Sequence, residues 1–548
     1  MDRTGKEAMI EQFLADGITH MFGNPGTVEQ GFLDALEQFP DFHYILALQE
    51  TVAAGIADGY ARATGGPAVL QLHSGVGLGN GIGMLYQSKR GHTPLVVVAG
   101  EAGIAYDAMD AQMAADLVAM ARPVTKWATR VVDPRSLLRV LRRAIKLAMT
   151  PPRGPVFVAL PMDVLDQPNL EPVLPTVVPQ SRSVPTPDLV ARAAALLAGG
   201  RRPLIVVGDG VTVSGAEPEL ARTAEKLGAD VWYADSSDVH LPADHPLARG
   251  SFGHMFGPAS RAAVQDADAV LVVGTYLFPE VFPNLTSPFA DDASIVHVDL
   301  DDYEIAKNHP VTLGLVADPK PTLAAIADAL DRLRTPQQDA EAAGRVAARR
   351  VEKAAAVGAV DDTLIASFLT ELAGRAPEDL MVFDEALTAS PYLTRYLRPR
   401  LPGHYLVTRG GSLGVGIPGA VGMKIAYPDR MVIGFAGDGG SMYTYQALWT
   451  AVRHDVPAVF VVCNNHRYQL LNVNIDEYWR EQGITGRAHP RSFDLGSPEI
   501  DFVGLARSLG ADGIRVDKPH QVADAVERMV TTRGPLVIDL RTDDTVHC

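Results

Sequence analysis

Short apolar runs rich in β-branched residues alternate with helical patterns along almost the whole chain. The runs are PAVLQLHS, TPLVVVAG, GPVFVALP, RPLIVVGDG, AVLVVGTY, SIVHVDL, RMVIGFAGDG, PAVFVVCNN and GPLVIDLRT. Continuously apolar strands are buried on both faces, which is typical of parallel sheets covered by helices. The pattern therefore predicts an α/β protein built from doubly wound parallel sheets.

Two segments interrupt this alternation and predict domain boundaries. Residues 166–187, DQPNLEPVLPTVVPQSRSVPTP, contain a proline every few positions, as an extended linker does. The segment RTPQQDAEAAGRVAARRVEKAAAVGAV, which begins at Arg334, is charged and alanine-rich and predicts a surface helix. Because 548 residues are too many for one core, we predict three domains, at 1–165, 186–333 and 358–548.

Composition narrows the range of partners. The formal net charge of −17 disfavours a nucleic-acid partner, because such affinity rests on cationic side chains that neutralise phosphates. Cys463 and Cys548 alone support neither a disulfide framework nor a cysteine-based zinc site. The first residues lack the succession of basic, apolar and small residues that defines a signal peptide, and no apolar run is long enough to span a membrane. We expect a cytoplasmic protein with a small-molecule substrate and no membrane partner.

The run RMVIGFAGDGG ends at a glycine turn, the position at which parallel α/β sheets bind ligands. Gly437 and Gly439 let the backbone approach a diphosphate, the helix predicted from SMYTYQALWTAV offers free N–H groups, and Asp438 offers a hard oxygen ligand. The next run ends at Asn464 and Asn465. Because neighbouring parallel strands end at the same edge, we expect Asn465 and Asp438 to share a magnesium ion, which prefers oxygen ligands.

A GDG turn by itself is also compatible with a tight strand end that binds nothing. The run VVGDGVTVSG repeats the motif at Gly208 to Gly210, but it has Asp235 and Ser236 at the distance where the later copy has two asparagines. We therefore interpret the earlier copy as structural.

GDG followed by 24 residues and NN resembles the diphosphate and magnesium motif of thiamine-diphosphate-dependent enzymes, in the pyruvate decarboxylase and acetolactate synthase superfamily. The resemblance implies three α/β domains. The first binds the cofactor pyrimidine, the second is a Rossmann-like middle domain, and the third binds the diphosphate. It also implies that Asp438, the Asn465 side chain and the Arg467 carbonyl bind Mg²⁺. The further cofactor contacts that it implies are Gly437, Gly439, Tyr443, Thr388 and Ser390.

Glu50 is the candidate acid in the first domain. In ILALQETVAAGIADGYARATG it lies between a strand and a helix rich in small residues, where an unpaired charge is costly. We expect it to be partnered or protonated; a glutamate that merely favours the helix dipole is the alternative. By resemblance, Glu50 contacts the cofactor pyrimidine and activates the cofactor. The resemblance also implies an active site shared between subunits, hence a homodimer at minimum and typically a homotetramer.

Within the superfamily, MFGNPGTVEQGFLDAL, QLHSGVGLGNGIGML and HTPLVVVAGE are most similar to the benzoylformate decarboxylases, over essentially the full length. By this resemblance the Gly411 carbonyl binds the cofactor amino group and Leu413 supports its bent shape. His73 matches a proton-transferring histidine, although a histidine at a strand end is often only structural. Thr27 stands where these enzymes have a catalytic serine.

Two departures concern the substrate. Near the position where the benzoylformate decarboxylases have a second active-site histidine, this chain has Val281, and no histidine lies between His254 and His297. The adjacent Glu280 is either a substitute acid or base or a surface carboxylate. After Asn465, the segment HRYQLLNVNIDEYWREQGITGRAHPRSFDLGSPEIDF is longer and more polar than its counterpart. The pocket candidates in this segment are Gln469, Leu470, Leu471 and Tyr478, and they favour a substrate more polar than benzoylformate.

The middle domain resembles the Rossmann-like insert of this superfamily. Asp299, Asp301 and Asp302 follow a strand at the position where relatives bind an adenine ribose. The first strand lacks a convincing GxGxxG, so a lost or purely structural nucleotide site is favoured.

The resemblance implies a lyase that uses thiamine diphosphate and Mg²⁺ for the non-oxidative decarboxylation of a 2-oxo acid, with carboligation of the enamine as a second outcome. An acetolactate-synthase-like carboligase or acyloin lyase is the alternative. A catalytically silent scaffold or regulatory subunit is a third interpretation, which intact Glu50, Asp438 and Asn465 oppose.

Overall fold

Two compact units make up the chain in the computed structural model. Residues 3–234, 236–252, 255, 257–278, 280–355 and 361–542 are described; Asp235 and Cys548, both considered above, lie outside them. One unit contains the chain up to Pro179, Asp362–Tyr392 and the chain from Thr408 onward. The other contains Gln180–Asp361 and Leu393–Val407.

The first sheet contains β1 (His20–Gly23), β2 (His43–Leu46), β3 (Ala68–His73), β4 (Leu95–Glu101), β5 (Trp127–Arg130) and β6 (Val156–Pro161). Its helices are α1 (Gly5–Ala15), α2 (Gln30–Leu36), α3 (Glu50–Thr64), α4 (Ser74–Arg90), α5 (Leu117–Ala121), α6 (Leu137–Met149) and α7 (Met162–Leu165). The strand order is β2-β1-β3-β4-β6-β5. The central strands β4 and β6 are buried along their whole length, as continuous apolar runs predict.

The middle sheet contains β7 (Pro203–Val207), β8 (Asp230–Tyr233), β9 (Ala248–Ser251), β10 (Ala269–Val273), β11 (Ser294–Asp299) and β12 (Leu313–Val316). Its helices are α8 (Pro187–Ala198), α9 (Gly210–Ser214), α10 (Glu217–Leu227), α11 (Gly257–Val264), α12 (Pro319–Leu333) and α13 (Pro336–Ala355). The order β12-β11-β10-β7-β8-β9 is that of a dinucleotide-binding fold. The alanine-rich segment after Arg334 forms α13, a largely exposed helix.

The third sheet contains β13 (Met381–Glu385), β14 (Tyr405–Val407), β15 (Val432–Gly437), β16 (Val459–Asn464), β17 (Asp512–Val516) and β18 (Leu536–Arg541). Its helices are α14 (Leu364–Arg375), α15 (Ser390–Leu397), α16 (Gly416–Ala426), α17 (Asp438–Ser441), α18 (Ala447–Arg453), α19 (Gln469–Gln482), α20 (Phe502–Ser508) and α21 (Val522–Thr531). The order β14-β13-β15-β16-β18-β17 repeats that of the first sheet.

The predicted fold class is confirmed. All nine quoted apolar runs contain a strand, and the strands form three parallel six-stranded sheets. Residues 166–187 are extended and contain almost no regular structure before α8. Among the described helices, none is long and apolar enough to cross a membrane.

One predicted helix was wrong in its extent. The segment SMYTYQALWTAV was expected to form one helix, but α17 ends at Ser441 and α18 begins at Ala447. Between them the N–H groups of Tyr443 and Thr444 bond to carbonyls three residues earlier, and the Thr444 hydroxyl donates to the Gly414 carbonyl, 2.7 Å away. That contact draws the chain out of the helical path.

Small residues allow α3 and α16 to pack in backbone contact. A Cβ added to Gly59 would clash with the Gly419 backbone, and one added to Gly422 would clash with the Ile56 carbonyl. Gly59 and Gly422 are therefore required by this crossing. It joins the helix that begins at Glu50 to the helix that follows the predicted cofactor loop.

Candidate functional site

Asp438 lies at the carboxyl end of β15, as the first residue of α17. Its side chain is only 4% exposed. One carboxylate oxygen, Oδ1, accepts from the Gly439 N–H at 2.8 Å, and Oδ2 accepts from the Arg467 N–H at 3.2 Å. Burial raises the pKa of Asp438 to about 6, against the opposing effect of these N–H groups. A cation beside the carboxylate would counteract that desolvation.

The Arg467 N–H brings two predicted metal ligands together. It lies 3.2 Å from Asp438 Oδ2 and also 3.2 Å from Asn465 Oδ1. The preceding residue, Asn464, has a different role, since its amide donates to Asp539 Oδ1 at 2.9 Å. Only the second asparagine of the pair therefore directs its oxygen toward Asp438.

The third predicted ligand is the Arg467 carbonyl. It accepts a hydrogen bond from the Gln469 N–H at 2.9 Å, and a carbonyl oxygen has a second lone pair. A carboxylate, an amide and a carbonyl form an oxygen donor set that fits Mg²⁺ completed by phosphate and water. Across the described residues, no group of three or more His, Cys, Asp or Glu offers an alternative metal cluster.

The three glycines of the turn have different surroundings. A Cβ at Gly437 would meet nothing within 4 Å, so the backbone there is open to a ligand. A Cβ at Gly439 would clash with the Tyr468 ring, and one at Gly440 would lie 2.7 Å from Glu385 Oε1. The turn is thus open on one side and tightly packed on the other.

Glu385, at the end of β13, holds the predicted cofactor loop and was not identified from the sequence. Its two carboxylate oxygens accept from the N–H groups of Gly414 and Gly416. The loop between them and β14 includes Gly411, whose φ of +71° favours glycine. Leu413 Cδ2 lies beside Gly440, 3.9 Å from the position of a Cβ there. Two adjacent acids ending a buried strand were the available signal.

The remaining predicted cofactor contacts lie around this loop. Tyr443 packs against Gly414 and is about half exposed. Thr388 is partly buried in a short 3₁₀ turn, Leu387–Ala389. Ser390 donates its hydroxyl to Asp384 at 2.9 Å, which leaves the oxygen able to accept.

Glu385 predicts a specific pH dependence of stability. Burial raises its pKa from 4.5 to about 7, so between these values the folded protein keeps a proton that the unfolded chain has lost. This contribution lowers stability as the pH rises from 4.5 to 7, by about 3 kcal/mol in total. We expect Glu385→Gln to lack this pH-dependent contribution. The thermal unfolding midpoint of wild type, relative to that of Glu385→Gln, should therefore be higher at pH 5 than at pH 8.

The matched control is Glu378→Gln, at an exposed position before β13. It should follow the wild-type pH curve. Parallel pH curves for wild type and Glu385→Gln would show that the buried carboxyl does not titrate in this range.

Glu50 begins α3 at the carboxyl edge of the first sheet, four residues beyond the end of β2. Gln49 caps the helix by accepting from Thr51 and Val52. The Glu50 side chain is 5% exposed, and its two oxygens accept amide hydrogens from Asn24, at 3.3 Å, and Asn80, at 2.9 Å. The Glu50 carboxylate, which was expected to be partnered or protonated, therefore accepts hydrogen bonds from two neutral amides.

His73, at the end of β3, lies next to this carboxylate. Its Nδ1 is 2.7 Å from the Oε2 of Glu29, a residue that the sequence did not single out. A Cβ added to Gly77 would contact both Glu50 Oε1, at 3.0 Å, and His73 Cβ, at 3.2 Å. Thr27 is exposed at the start of the 3₁₀ turn that ends at Glu29. Glu50, His73 and Thr27 thus belong to one edge of the first sheet.

The four predicted pocket residues do not lie on one face of α19. Leu471 and Tyr478, two turns apart, are on one face and are exposed. Gln469 is buried on the other face, and its oxygen accepts from Asn472 at 3.2 Å. Leu470 is partly buried between the two faces. At 100° per residue, positions 469 and 471 point in nearly opposite directions.

Each face of α19 has polar groups. A crevice of about 350 Å³ lies along the Gln469 face and is lined by Asn472, Asp476, Arg480 and His489, among others. On the opposite face, Asn474 lies between Leu471 and Tyr478, and its buried Oδ1 has no hydrogen-bond partner in the part of the chain that is described.

The candidate residues of the middle domain mainly form hydrogen bonds within that domain. Asp299 accepts from the Asp301 N–H at 2.8 Å, and burial raises its pKa to about 7. In the earlier GDG copy, Asp209 accepts from both the backbone and the hydroxyl of Ser237. Glu280 is buried and accepts from the Ser260 hydroxyl, whereas the adjacent Val281 is exposed.

Three family models match the chain in order. They are the N-terminal TPP binding domain of thiamine pyrophosphate enzymes at 3–120, the central domain at 190–326 and the C-terminal TPP binding domain at 388–540. Benzoylformate decarboxylase of Pseudomonas aeruginosa is 32% identical over 98% of this chain and 99% of its own. The chain belongs to the thiamine pyrophosphate enzyme family. The first and third of the matched models describe domains that bind thiamine pyrophosphate.

Other thiamine pyrophosphate enzymes match at similar length but differ in reaction. The acetolactate synthase isozyme 3 large subunit of Escherichia coli is 28% identical over 99% of this chain and 96% of its own. The 4-hydroxybenzoylformate decarboxylase of Rhodococcus jostii superposes with a TM-score of 0.86, at 28% identity, over 98% of this chain and 99% of its own. The relatives thus include both decarboxylases and synthases.

Proposed function

We propose that this protein is a thiamine-diphosphate- and Mg²⁺-dependent decarboxylase of a 2-oxo acid. The observation that carries the proposal is Glu50, a buried carboxylate held by the amides of Asn24 and Asn80 at the edge of the first sheet. A carboxylate has more acceptor sites than the two that these amides use, so Glu50 can also accept a hydrogen bond from a ligand nitrogen.

The residues of the third sheet fit the diphosphate end of the cofactor. Asp438, Asn465 and the Arg467 carbonyl would bind Mg²⁺, and the open backbone at Gly437 would face the phosphates. The loop that Glu385 holds would place Gly411 and Leu413 against the rings. Its two bonds to the loop make that placement rigid before a ligand arrives.

When bound, thiamine diphosphate supplies a nucleophilic carbon and an electron sink for decarboxylation. The chain's own residues bind, orient and move protons. Glu50 would exchange a proton with the pyrimidine ring, and Asn24 and Asn80 keep its carboxylate in place. His73 would exchange a proton with the substrate through its Nε2, because Nδ1 is already bonded to Glu29.

We infer a substrate whose side chain carries a hydrogen-bond donor. Support comes from Asn474, whose unpartnered Oδ1 lies on the face of α19 that includes Leu471 and Tyr478. An acceptor beside the side chains of Leu471 and Tyr478 would suit an aromatic 2-oxo acid that bears a hydroxyl group. The Rhodococcus relative is described as a 4-hydroxybenzoylformate decarboxylase.

Asn474→Leu provides the corresponding prediction. Removing the acceptor should lower kcat/KM for 4-hydroxybenzoylformate by roughly tenfold, while benzoylformate is affected little. Steady-state assays with both acids give the ratio of kcat/KM for 4-hydroxybenzoylformate to kcat/KM for benzoylformate. Asn472, on the opposite face, also has a buried Oδ1 without a partner among the described residues, so Asn472→Leu is the matched control. It should leave the ratio of the two kcat/KM values unchanged. An equal change of this ratio in both variants would show that it does not depend on the face that includes Leu471 and Tyr478.

A panel of 2-oxo acids, assayed for carbon dioxide and carbonyl products with added thiamine diphosphate and Mg²⁺, tests the function. Cofactor-dependent aldehyde formation from at least one aromatic acid is expected. Absence of carbon dioxide release across the panel, in protein that binds the cofactor by calorimetry, would reject the decarboxylase proposal.

A carboligase is the second candidate function. It is favoured by the synthase relatives and by Val281, which stands where the benzoylformate decarboxylases have a second histidine. Assays with pyruvate and benzoylformate, with and without an acceptor aldehyde, separate the two: a carboligase releases carbon dioxide together with a 2-hydroxy ketone. Failure to bind thiamine diphosphate would favour the scaffold interpretation.

We also propose a cytoplasmic homodimer at minimum, and a homotetramer as the working assembly, with no nucleic-acid partner. The charge of −17 supports the last point. Light scattering of the holoprotein measures the assembly directly.

A further inference from the structure

Glu29 is an acidic side chain enclosed behind the predicted site. It is 4% exposed, at the end of the 3₁₀ turn that begins at Thr27. Its Oε1 accepts from the Gly100 N–H at 3.1 Å, and its Oε2 accepts from the Gly26 N–H at 3.0 Å and lies 2.7 Å from His73 Nδ1. Three bonds to three separate segments hold the carboxylate in one position.

The imidazole of His73 is confined by the same elements. A Cβ at Gly26 would clash with the ring, and one at Gly77 would press on its Cβ. Only 16% of the side chain is exposed. With Nδ1 bonded to a fixed carboxylate, Nε2 is the ring nitrogen left for a ligand.

We propose that Glu29 is a positioning residue for His73: it accepts the Nδ1 hydrogen, so that the neutral ring carries its proton on Nδ1 and directs the Nε2 lone pair toward the cleft. A carboxylate that accepts from one ring nitrogen sets the tautomer of the other. The effect on turnover rests on the proposed function, in which His73 contacts the substrate.

The other titratable groups around this pair are Glu50, on α3, and Tyr44, on β2. Burial, with the charges of Glu29 and Glu50, raises the pKa of Tyr44, whose hydroxyl donates to the Gln71 side chain at 2.5 Å. Tyr44 therefore stays neutral near pH 7. Burial also raises the pKa of Glu29, and the bond to His73 opposes that rise.

The first test reads the tautomer without any substrate. ¹⁵N-histidine spectra of the full-length protein, with the His73 signal identified by its loss in His73→Gln, should show the proton on Nδ1 at pH 8. In Glu29→Gln, whose amide can donate to Nδ1, the population should shift toward Nε2–H. A wild-type spectrum with the proton on Nε2 overturns the proposal, even if no Glu29 variant folds.

The second test uses turnover of the holoenzyme. Glu29→Gln should lower kcat by about 10- to 100-fold with little change in KM, and Glu29→Asp should recover part of the loss. The pH profile of kcat for Glu29→Gln should differ from that of wild type. Glu37→Gln, exposed on the turn after α2, is the matched control and should behave as wild type.

The double variant distinguishes positioning from an independent role. If Glu29 acts through His73, adding Glu29→Gln to His73→Ala should cost no further activity. Multiplied losses, or a Glu29→Gln enzyme with wild-type kcat and pH profile, would overturn the proposal. A protein with the expected tautomer but no activity on any 2-oxo acid would instead contradict the proposed function.

Discussion

Asp438→Asn should greatly weaken Mg²⁺-dependent binding of thiamine diphosphate. The variant keeps the size of the side chain but removes the one carboxylate among the predicted oxygen ligands, which is buried and close to Asn465 Oδ1. Loss of a buried charge partner costs about 3 kcal/mol or more, which corresponds to roughly 100-fold weaker binding. Titration calorimetry with and without Mg²⁺ measures it.

The chain contains its own control for this substitution. Asp209 occupies the same position in the earlier GDG turn, but its carboxylate bonds to Ser237. Asp209→Asn should leave cofactor affinity unchanged, although it should lower thermal stability. If both variants bind the cofactor as wild type does, the magnesium assignment is wrong; if both lose binding, the effect is not specific to the later turn.

Glu50→Gln should leave the cofactor bound but nearly stop turnover. The amide keeps the shape between Asn24 and Asn80 but cannot exchange a proton with the pyrimidine. General acid–base catalysis contributes roughly 10² to 10⁴ in rate, so we expect kcat to fall about 1000-fold. Steady-state kinetics under saturating cofactor, with calorimetry of binding, separates the two effects; a variant with wild-type kcat would remove Glu50 from the mechanism.

Mixing the two inactive variants tests the shared site. In a homodimer whose sites combine Glu50 of one subunit with Asp438 of the other, mixed dimers of Glu50→Gln and Asp438→Asn have one intact site. Random exchange of subunits should then restore about a quarter of wild-type activity. If both residues of a site belong to one chain, the mixture stays inactive.

Most strands that the sequence predicted are buried on both faces, although β13 is also buried at every position and was not among the predicted runs. β4, β6, β7, β10 and β16 are continuously buried, and each was predicted from an apolar run. Of the six edge strands, β5, β9, β12, β14 and β17 were not predicted, whereas a strand before Glu50, which is β2, was expected. β5 is partly exposed at every position and β9 is at least partly exposed throughout, so neither carries a strong apolar signal.

The residues of the candidate site also differ in whether the sequence predicted them. Asp438 and Asn465 were found because local strand ends place them, and the shared N–H of Arg467 brings their oxygens together. Glu29 and Glu385 were missed because their partners are remote: Glu29 bonds to Gly100, 71 residues away, and Glu385 to Gly416, 31 residues away. A local signal existed for Glu29, which caps the Gly26 N–H three residues earlier.

The sequence by itself determined the fold class, the family resemblance and the residues at the ends of β15 and β16, because buried strands and glycine turns are specified by residues adjacent in the chain. Only the tertiary structure decided that two amides hold Glu50, that Glu29 faces His73 and that Gln469 and Leu471 point to different faces of α19. A buried polar group must bond to whatever donors the packed elements bring to it, and that choice depends on contacts between distant segments.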